Sequence, residues 1–388
     1  MIGLLEPRTE TRRIALELLG RALPKPRGRT GQPERVLVIR PDHLGDLLFL
    51  TPALQLLRRG LPEAEIVALV GTWGVPVLDR NPNVDRVIAW DFPWFDRRRR
   101  RSVGDRFGSL ARLAAVLAAQ EFDLAIQFRA DFWWGALAVR LAGVPAQLGY
   151  DVPEMRALLT RTVPLQHGIH AARENLRLAE VVAGPSGDEA LDFPIRSVER
   201  DAATQLLGPD DGSPIVAIQA GAGAAVKLWP PDRLGAVGRA LRREFGARVV
   251  VIGGNGERDL VAAVADGVGP DTLQLAGRTS LGELAAALER CALVFGPDSG
   301  PLHLAVAVDT PTVHLFGPAD ARRFGPFGDP TWHRVVQSPW PCCPCNRLDF
   351  DAEALKLHRC LSEIPVDQVT DVCADLLRQS LDRASRAR

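Results

Sequence analysis

The sequence predicts an α/β protein built from two doubly wound, Rossmann-like halves in tandem, and three observations predict it. From residue 34 onward, short apolar runs of strand length alternate with segments of helical period. The alternation breaks off in a stretch rich in Gly, Pro, Asp and Ser at 183–213, the expected interdomain connection, and then restarts. Several apolar runs lead straight into small polar turns, which in a parallel sheet lie at the carboxyl ends of the strands, where ligands bind. A length of 388 residues exceeds one ordinary core and agrees with two domains.

Charge excludes several classes of function. Lys and Arg together number 47, as do Asp and Glu, so no bulk attraction to nucleic acid is expected. No apolar run reaches the roughly 18–20 residues of a membrane span. The opening MIGLLEPRTETRR carries charges too early for a signal peptide, and a cytoplasmic, monomeric protein is the expectation. Of the six cysteines, Cys342, Cys343, Cys345 and Cys360 fall together, unlike the disulfide framework of a secreted chain. The basic residues include only three lysines, Lys25, Lys227 and Lys356, so a lysine within a Gly-rich turn stands out.

Residues 1–33 form an extension whose segment 9–23 carries Ile14, Leu18 and Leu19 on one stripe, suited to packing on the protein body or lying on a membrane surface. Pro24, Pro26, Gly28 and Gly31 end it. The first Rossmann-like half, 34–190, opens with strand RVLVI (35–39), turn PDHLGD (41–46) and a helix over 46–60 with Pro52 near its start. Strands EIVALV (65–70), RVIAW (86–90) and FDLAIQF (122–128) follow, with a helix over 108–120. The second half, 191–364, has strand IVAIQ (215–219), helix 231–245, strand RVVVIGG (248–254), helix 257–267, strand TLQLA (272–276), a helix opened by a Ser280–Glu283 capping box, strand ALVF (292–295) and the run TPTVHLF (310–316). A last helix over 365–383, within 365–388, is expected to return to the first half.

Three turns of the second half carry groups suited to a nucleotide. In QAGAGAAVKLWP (219–230), Gly221 and Gly223 let backbone N–H groups approach a phosphate while Lys227 supplies a point charge. GGNGERD (253–259) sets Glu257 at a helix start, where a carboxylate can take two ribose hydroxyls. GPDSGPLHLAVA (296–307) brings Asp298, Ser299 and Gly300 to a helix N-terminus that suits an anion, with His303 one turn behind. Each has a plainer alternative: Asp298 or Ser299 capping the helix, Glu257 answering the helix dipole, His303 as a core histidine. No G-x-G-x-x-G follows the first strand, and GAGAAVK lacks Walker spacing, which disfavours a dehydrogenase or a P-loop enzyme. In the first half Asp46, after Gly45, starts a helix whose dipole favours an ionised carboxylate, either a general base or a cap.

RVLVIRPDHLGDLLFLTPAL (35–54), QAGAGAAVKLWP, VVVIGGNGERD (249–259) and FGPDSGPLHLAVAVDTPTVHLFGP (295–318) resemble, in order, the motifs of the family 9 glycosyltransferases, the ADP-heptose:lipopolysaccharide heptosyltransferases. The resemblance implies the GT-B fold, two Rossmann-like domains facing a cleft, the first for acceptor and the second for nucleotide-sugar donor. It implies an inverting reaction without metal or other cofactor, transferring a heptose or related sugar from an ADP-sugar to a lipopolysaccharide core or similar glycan. Position by position it makes Asp46 the base, Lys227 the phosphate-binding lysine, Glu257 the ribose ligand, and Asp298 with His303 the residues around diphosphate and sugar. Two departures, AGAGAAV without Ser or Thr and Leu228 where Arg is frequent, bear on the identity of the donor. A sugar-nucleotide epimerase and a non-catalytic nucleotide-sugar-binding protein are the alternatives; the presence of Asp46 speaks against the second.

Two further segments remain. Cys342 and Cys345 with His358 and Cys360 are zinc-like ligand types, but the H-x-C spacing of the second pair is unfavourable. The run Arg97, Arg98, Arg99, Arg100 and Arg101, preceded by Trp94 and Phe95, is either a solvated loop or a surface for an anionic, lipid-linked acceptor with peripheral membrane contact.

Overall fold

Each half of the chain winds six parallel strands into one sheet, and the two sheets repeat one strand order. A computed structural model describes residues 7–23, 31–93, 95 and 103–387; Arg97–Arg101 lie outside them. The chain divides into two units, Met1–Glu189 and Ala190–Arg388.

In the first unit β1 (Arg35–Arg40), β2 (Glu65–Val70), β3 (Arg86–Ala89), β4 (Leu124–Gln127), β5 (Ala146–Tyr150) and β6 (Arg161–Val163) lie in the order β3-β2-β1-β4-β5-β6. In the second, β7 (Ile215–Gln219), β8 (Arg248–Ile252), β9 (Leu273–Gln274), β10 (Leu293–Pro297), β11 (Thr312–Phe316) and β12 (His333–Gln337) lie in the order β12-β11-β10-β7-β8-β9. The order reverses between β1 and β4 and between β7 and β10, and a ligand crevice is expected at the carboxyl ends of those pairs. Central strands covered on both faces read as unbroken apolar runs: Val36, Leu37, Val38 and Ile39 of β1 are wholly buried, as are Leu293, Val294 and Phe295 of β10.

Several elements differ from expectation. The helix over 46–60 is two helices, Leu44–Leu48 and Thr51–Gly60, because Pro52 lacks a backbone donor and takes a first-turn position in the second. The stretch 183–213 contains the helix Ser197–Leu207, which packs its buried Ala203 and Leu207 on the side of helix Leu281–Glu289. Its Gly and Pro neighbours hid that short period. Strands β5, β6 and β12 and the helices Trp133–Leu141 and Ala171–Ala183 also escaped the sequence reading. In the N-terminal helix Pro7–Ala22 the inward residue is Leu16, with Gly20 tight against Ala157, whereas Ile14 and Leu18 are exposed. The C-terminal helix Val366–Ala387 buries Val369, Cys373, Leu376 and Leu377 in the core of the second unit, where it packs on helix Pro231–Phe245 and β10. Among the described residues no helix is long and apolar enough to cross a membrane.

Candidate functional site

In the second unit the topology brings the first and third predicted turns together, because β7 and β10 are neighbours. Gly296 allows this approach: its φ is +153°, and a Cβ there would lie 2.4 Å from the Gln219 carbonyl oxygen. Beyond β7 the chain makes a 3-10 turn, Ala225–Lys227, pinned by the buried Val226 and Trp229. Lys227 Nζ thereby reaches Asp298 Oδ2 at 2.5 Å, and His303 Nε2 lies 3.4 Å from Asp298 Oδ1. Asp298 is 4% and His303 3% exposed. Burial pushes the Asp298 carboxyl up, but the His303 hydrogen bond and the Lys227 charge outweigh it and hold the group at about 2. An ammonium has three donors, so one contact to Asp298 leaves Lys227 able to meet a phosphate as well.

The capping alternative is not realised. No side chain caps helix Gly300–Ala307: Ser299 Oγ donates instead to the Pro297 carbonyl at 3.0 Å, and Asp298 faces Lys227 and His303. A helix start without a side-chain cap favours an anion.

Glu257 sits on the turn after β8, beside β7. The Gly254 N–H donates to its Oε2 at 2.6 Å, and the carboxylate lies directly over Gly221, where a Cβ would come within 1.8 Å of Oε1. The glycine is therefore needed for the carboxylate to stand at the Gly-rich turn. Gly223 is exposed on the same turn.

Behind His303 runs a buried polar chain that the sequence reading missed. The His314 ring on β11 lies tilted against it, with ring centroids 5.3 Å apart; His314 Nε2 is 2.9 Å from Thr312 Oγ1, which is 3.0 Å from His333 Nδ1. Burial drives His314 well below the usual imidazole range and His333 down to about 4. The only sequence signal was a polar residue at every second position of an otherwise apolar strand.

The first unit gathers charge at its own switch point. Arg40 closes β1, Asp46 lies on helix Leu44–Leu48, and Arg129 follows β4. Arg40 Nη2 donates to Asp46 Oδ1 at 3.1 Å; its Nε lies 2.7 Å from Asp42 Oδ2, and Asp42 Oδ1 accepts from Arg129. The Nε contact is an ion pair without aligned hydrogen-bond geometry. The Asp46 side chain is 32% exposed. Desolvation and the Asp42 charge raise its carboxyl pKa, outweighing Arg40 and Arg129. The helix start was expected to favour the ionised carboxylate; burial and Asp42 act the other way and make it a readier proton acceptor. Arg40, Asp42 and Arg129 were not singled out from sequence, although an arginine ending a fully buried strand was a visible signal.

The cysteine segment is not drawn into a ligand set. Cys342 and Cys345 are exposed, Cys360 is buried beneath Val226, and the His358 ring packs on Phe350 at 3.8 Å. Among the described residues no group of three or more His, Cys, Asp or Glu is arranged to hold a metal ion.

A family model described as glycosyltransferase family 9 (heptosyltransferase) matches residues 110–349. A lipopolysaccharide heptosyltransferase 3 of Escherichia coli is 30% identical over 290 residues, covering 71% of this chain and 81% of the relative. A lipopolysaccharide heptosyltransferase 1 of Pseudomonas aeruginosa is 27% identical, covering 86% and 92%. Among solved structures, a family 9 glycosyl transferase from Veillonella parvula superposes with a TM-score of 0.76 at 24% identity, covering 91% of this chain and all of that one. The E. coli ADP-heptose lipopolysaccharide heptosyltransferase II gives 0.71 at 20%, covering 89% and 99%. The fold is thus GT-B, and the chain belongs to glycosyltransferase family 9, the heptosyltransferase family, as a transferase enzyme.

Proposed function

We propose that the protein transfers a heptose, or a closely related sugar, from an ADP-sugar to a hydroxyl of a lipopolysaccharide core or similar glycan, with inversion and without a cofactor. The observation that carries this reading is the Lys227–Asp298–His303 cluster beside a helix start without a side-chain cap, at the switch point of the second sheet. The lysine and the N–H groups of the helix start take the diphosphate, and Glu257 takes the ribose. Asp46 removes the proton of the acceptor hydroxyl as its oxygen attacks the anomeric carbon. The C–O bond to the diphosphate breaks on the opposite face, and Lys227 with the helix N–H groups stabilises the negative charge on the departing nucleotide. Names of relatives sharing most of their length with this chain support heptose and a lipopolysaccharide acceptor.

Within this reading Arg97–Arg101 bind an anionic, lipid-linked acceptor, and the enzyme works as a monomer in the cytoplasm, in peripheral contact with the inner membrane. The test is release of ADP from ADP-heptose on addition of heptose-deficient lipopolysaccharide. Acceptor-dependent release is expected; donor turnover without an acceptor, giving an isomeric nucleotide sugar, would favour epimerisation instead. Asp46→Asn should lower kcat by about 10²–10⁴-fold while ADP binding survives, and retention of about a tenth of the activity would remove Asp46 as the base.

A further inference from the structure

The charge cluster around Arg40 does more than close a strand. All three guanidinium nitrogens are engaged: Nε by Asp42 at 2.7 Å, Nη2 by Asp46 at 3.1 Å, and Nη1 by the Phe128 carbonyl and Asn175 Oδ1. A planar fork with hydrogen bonds at both Nη atoms and an ion-pair contact at Nε has little freedom to turn. Asp42, 4% exposed, is held in turn, since its other oxygen accepts from Arg129 and its carbonyl accepts from the Trp73 indole N–H at 2.8 Å. One guanidinium thus serves two carboxylates, of which Asp42 is buried and Asp46 keeps a solvent-facing surface.

We propose that Asp42 is a positioning residue for the general base: it fixes the Arg40 fork that aims Asp46 and, by sharing that cation, prevents Asp46 from being fully neutralised by it. The proposal rests on the reading of Asp46 as the base. An arginine paired with Asp46 alone would orient the carboxylate but weaken it as a base, because an opposite charge within about 4–6 Å stabilises the ionised form. A second carboxylate on the same cation offsets that effect and leaves the aim intact. The charged and titratable groups bearing on Asp46 are Arg40 from β1, Asp42 from the turn after it and Arg129 from the end of β4; Tyr150 of β5 and Asp131 act on those arginines in turn. The cluster has a cost, since buried ion pairs seldom stabilise a fold relative to apolar packing.

The experiment follows two opposed substitutions. Asp42→Asn keeps size and removes the shared charge, so the Asp46 pKa should fall. Arg129→Gln removes a cation and should move it the other way. The readouts are the acidic limb of the kcat/KM profile, with ADP-heptose and heptose-deficient lipopolysaccharide, and the ¹³C carboxyl titration of labelled aspartate, the Asp46 signal being assigned with Asp46→Asn. Opposite displacements, with Asp42→Glu returning the limb toward wild type, support the proposal; a general loosening of the fold would not produce them. An unmoved Asp46 titration, or one displaced in the same direction by both variants, overturns it. If Asp42→Asn does not fold, Arg129→Gln alone decides by the direction of its shift. A limb that persists in Asp46→Asn overturns the base itself, a distinct failure from an Asp46 titration that ignores Asp42.

Discussion

Replacing Asp298 with asparagine tests the centre of the Lys227–Asp298–His303 cluster, because it removes the charge while keeping the shape. In the folded chain the Asp298 carboxyl is held at about 2 against an ordinary 3.8, since the His303 hydrogen bond and Lys227 outweigh its burial. That depression corresponds to about 2 kcal/mol at neutral pH. The folded pKa is the lower one, so this stabilisation is fully present above about pH 4 and is lost as pH falls through 2. By the same relation about half of it remains at pH 3. Amide exchange of β7 and β10 reads the opening of the second unit directly, because their central residues are wholly buried. Asp298→Asn should speed that exchange by roughly 10–100-fold at pH 7, and the gap to wild type should narrow as pH falls from 5 to 3. An unchanged rate at pH 7, or a gap that does not narrow with acid, would refute the assignment of this stability to the ionised carboxylate.

Lys227→Ala should weaken ADP by about 10–100-fold, the range for one charge-assisted hydrogen bond; unchanged affinity by calorimetry would take the lysine off the phosphates. Gly221→Ala should cost little stability, since the atoms nearest the added methyl belong to the movable end of Glu257. The same displacement should weaken ADP about as much as Glu257→Ala does, and additive losses in the double variant would show the two act separately. Acidification from pH 6.5 to 4 should destabilise the second unit, because burial keeps His333 and His314 neutral while imidazoles of the unfolded chain take up protons. A His314→Leu variant should lose stability less steeply with acid over that range, and identical pH slopes in a denaturant series would count against the buried histidines.

Much of this was legible because it depends on local pattern. Strand-length apolar runs, the Gly-rich turns and the lone lysine among them mark β1, β7, β8 and β10 and the residues Asp46, Lys227, Glu257 and Asp298 with no knowledge of what lies beside them. Elements whose signal is weak were lost, such as β6 with three residues and helix Ser197–Leu207 within a turn-rich stretch. Whether Ser299 caps its helix could not be read from its type, since capping depends on where the hydroxyl points, and it points to Pro297.

What the sequence by itself determined is the two-part α/β architecture and the chemical types at the strand ends, because hydrophobic period and turn chemistry are properties of neighbours in the chain. Tertiary structure decided the pairings. Lys227 meets Asp298, 71 positions on, only because β7 and β10 are adjacent, and Arg129 meets Asp42 only because β4 lies beside β1. It also decided the proton affinity of the Asp46 carboxyl, since burial and a second carboxylate outweigh the nearby arginines there. Burial and through-space charge depend on the whole unit, and no window of sequence contains them.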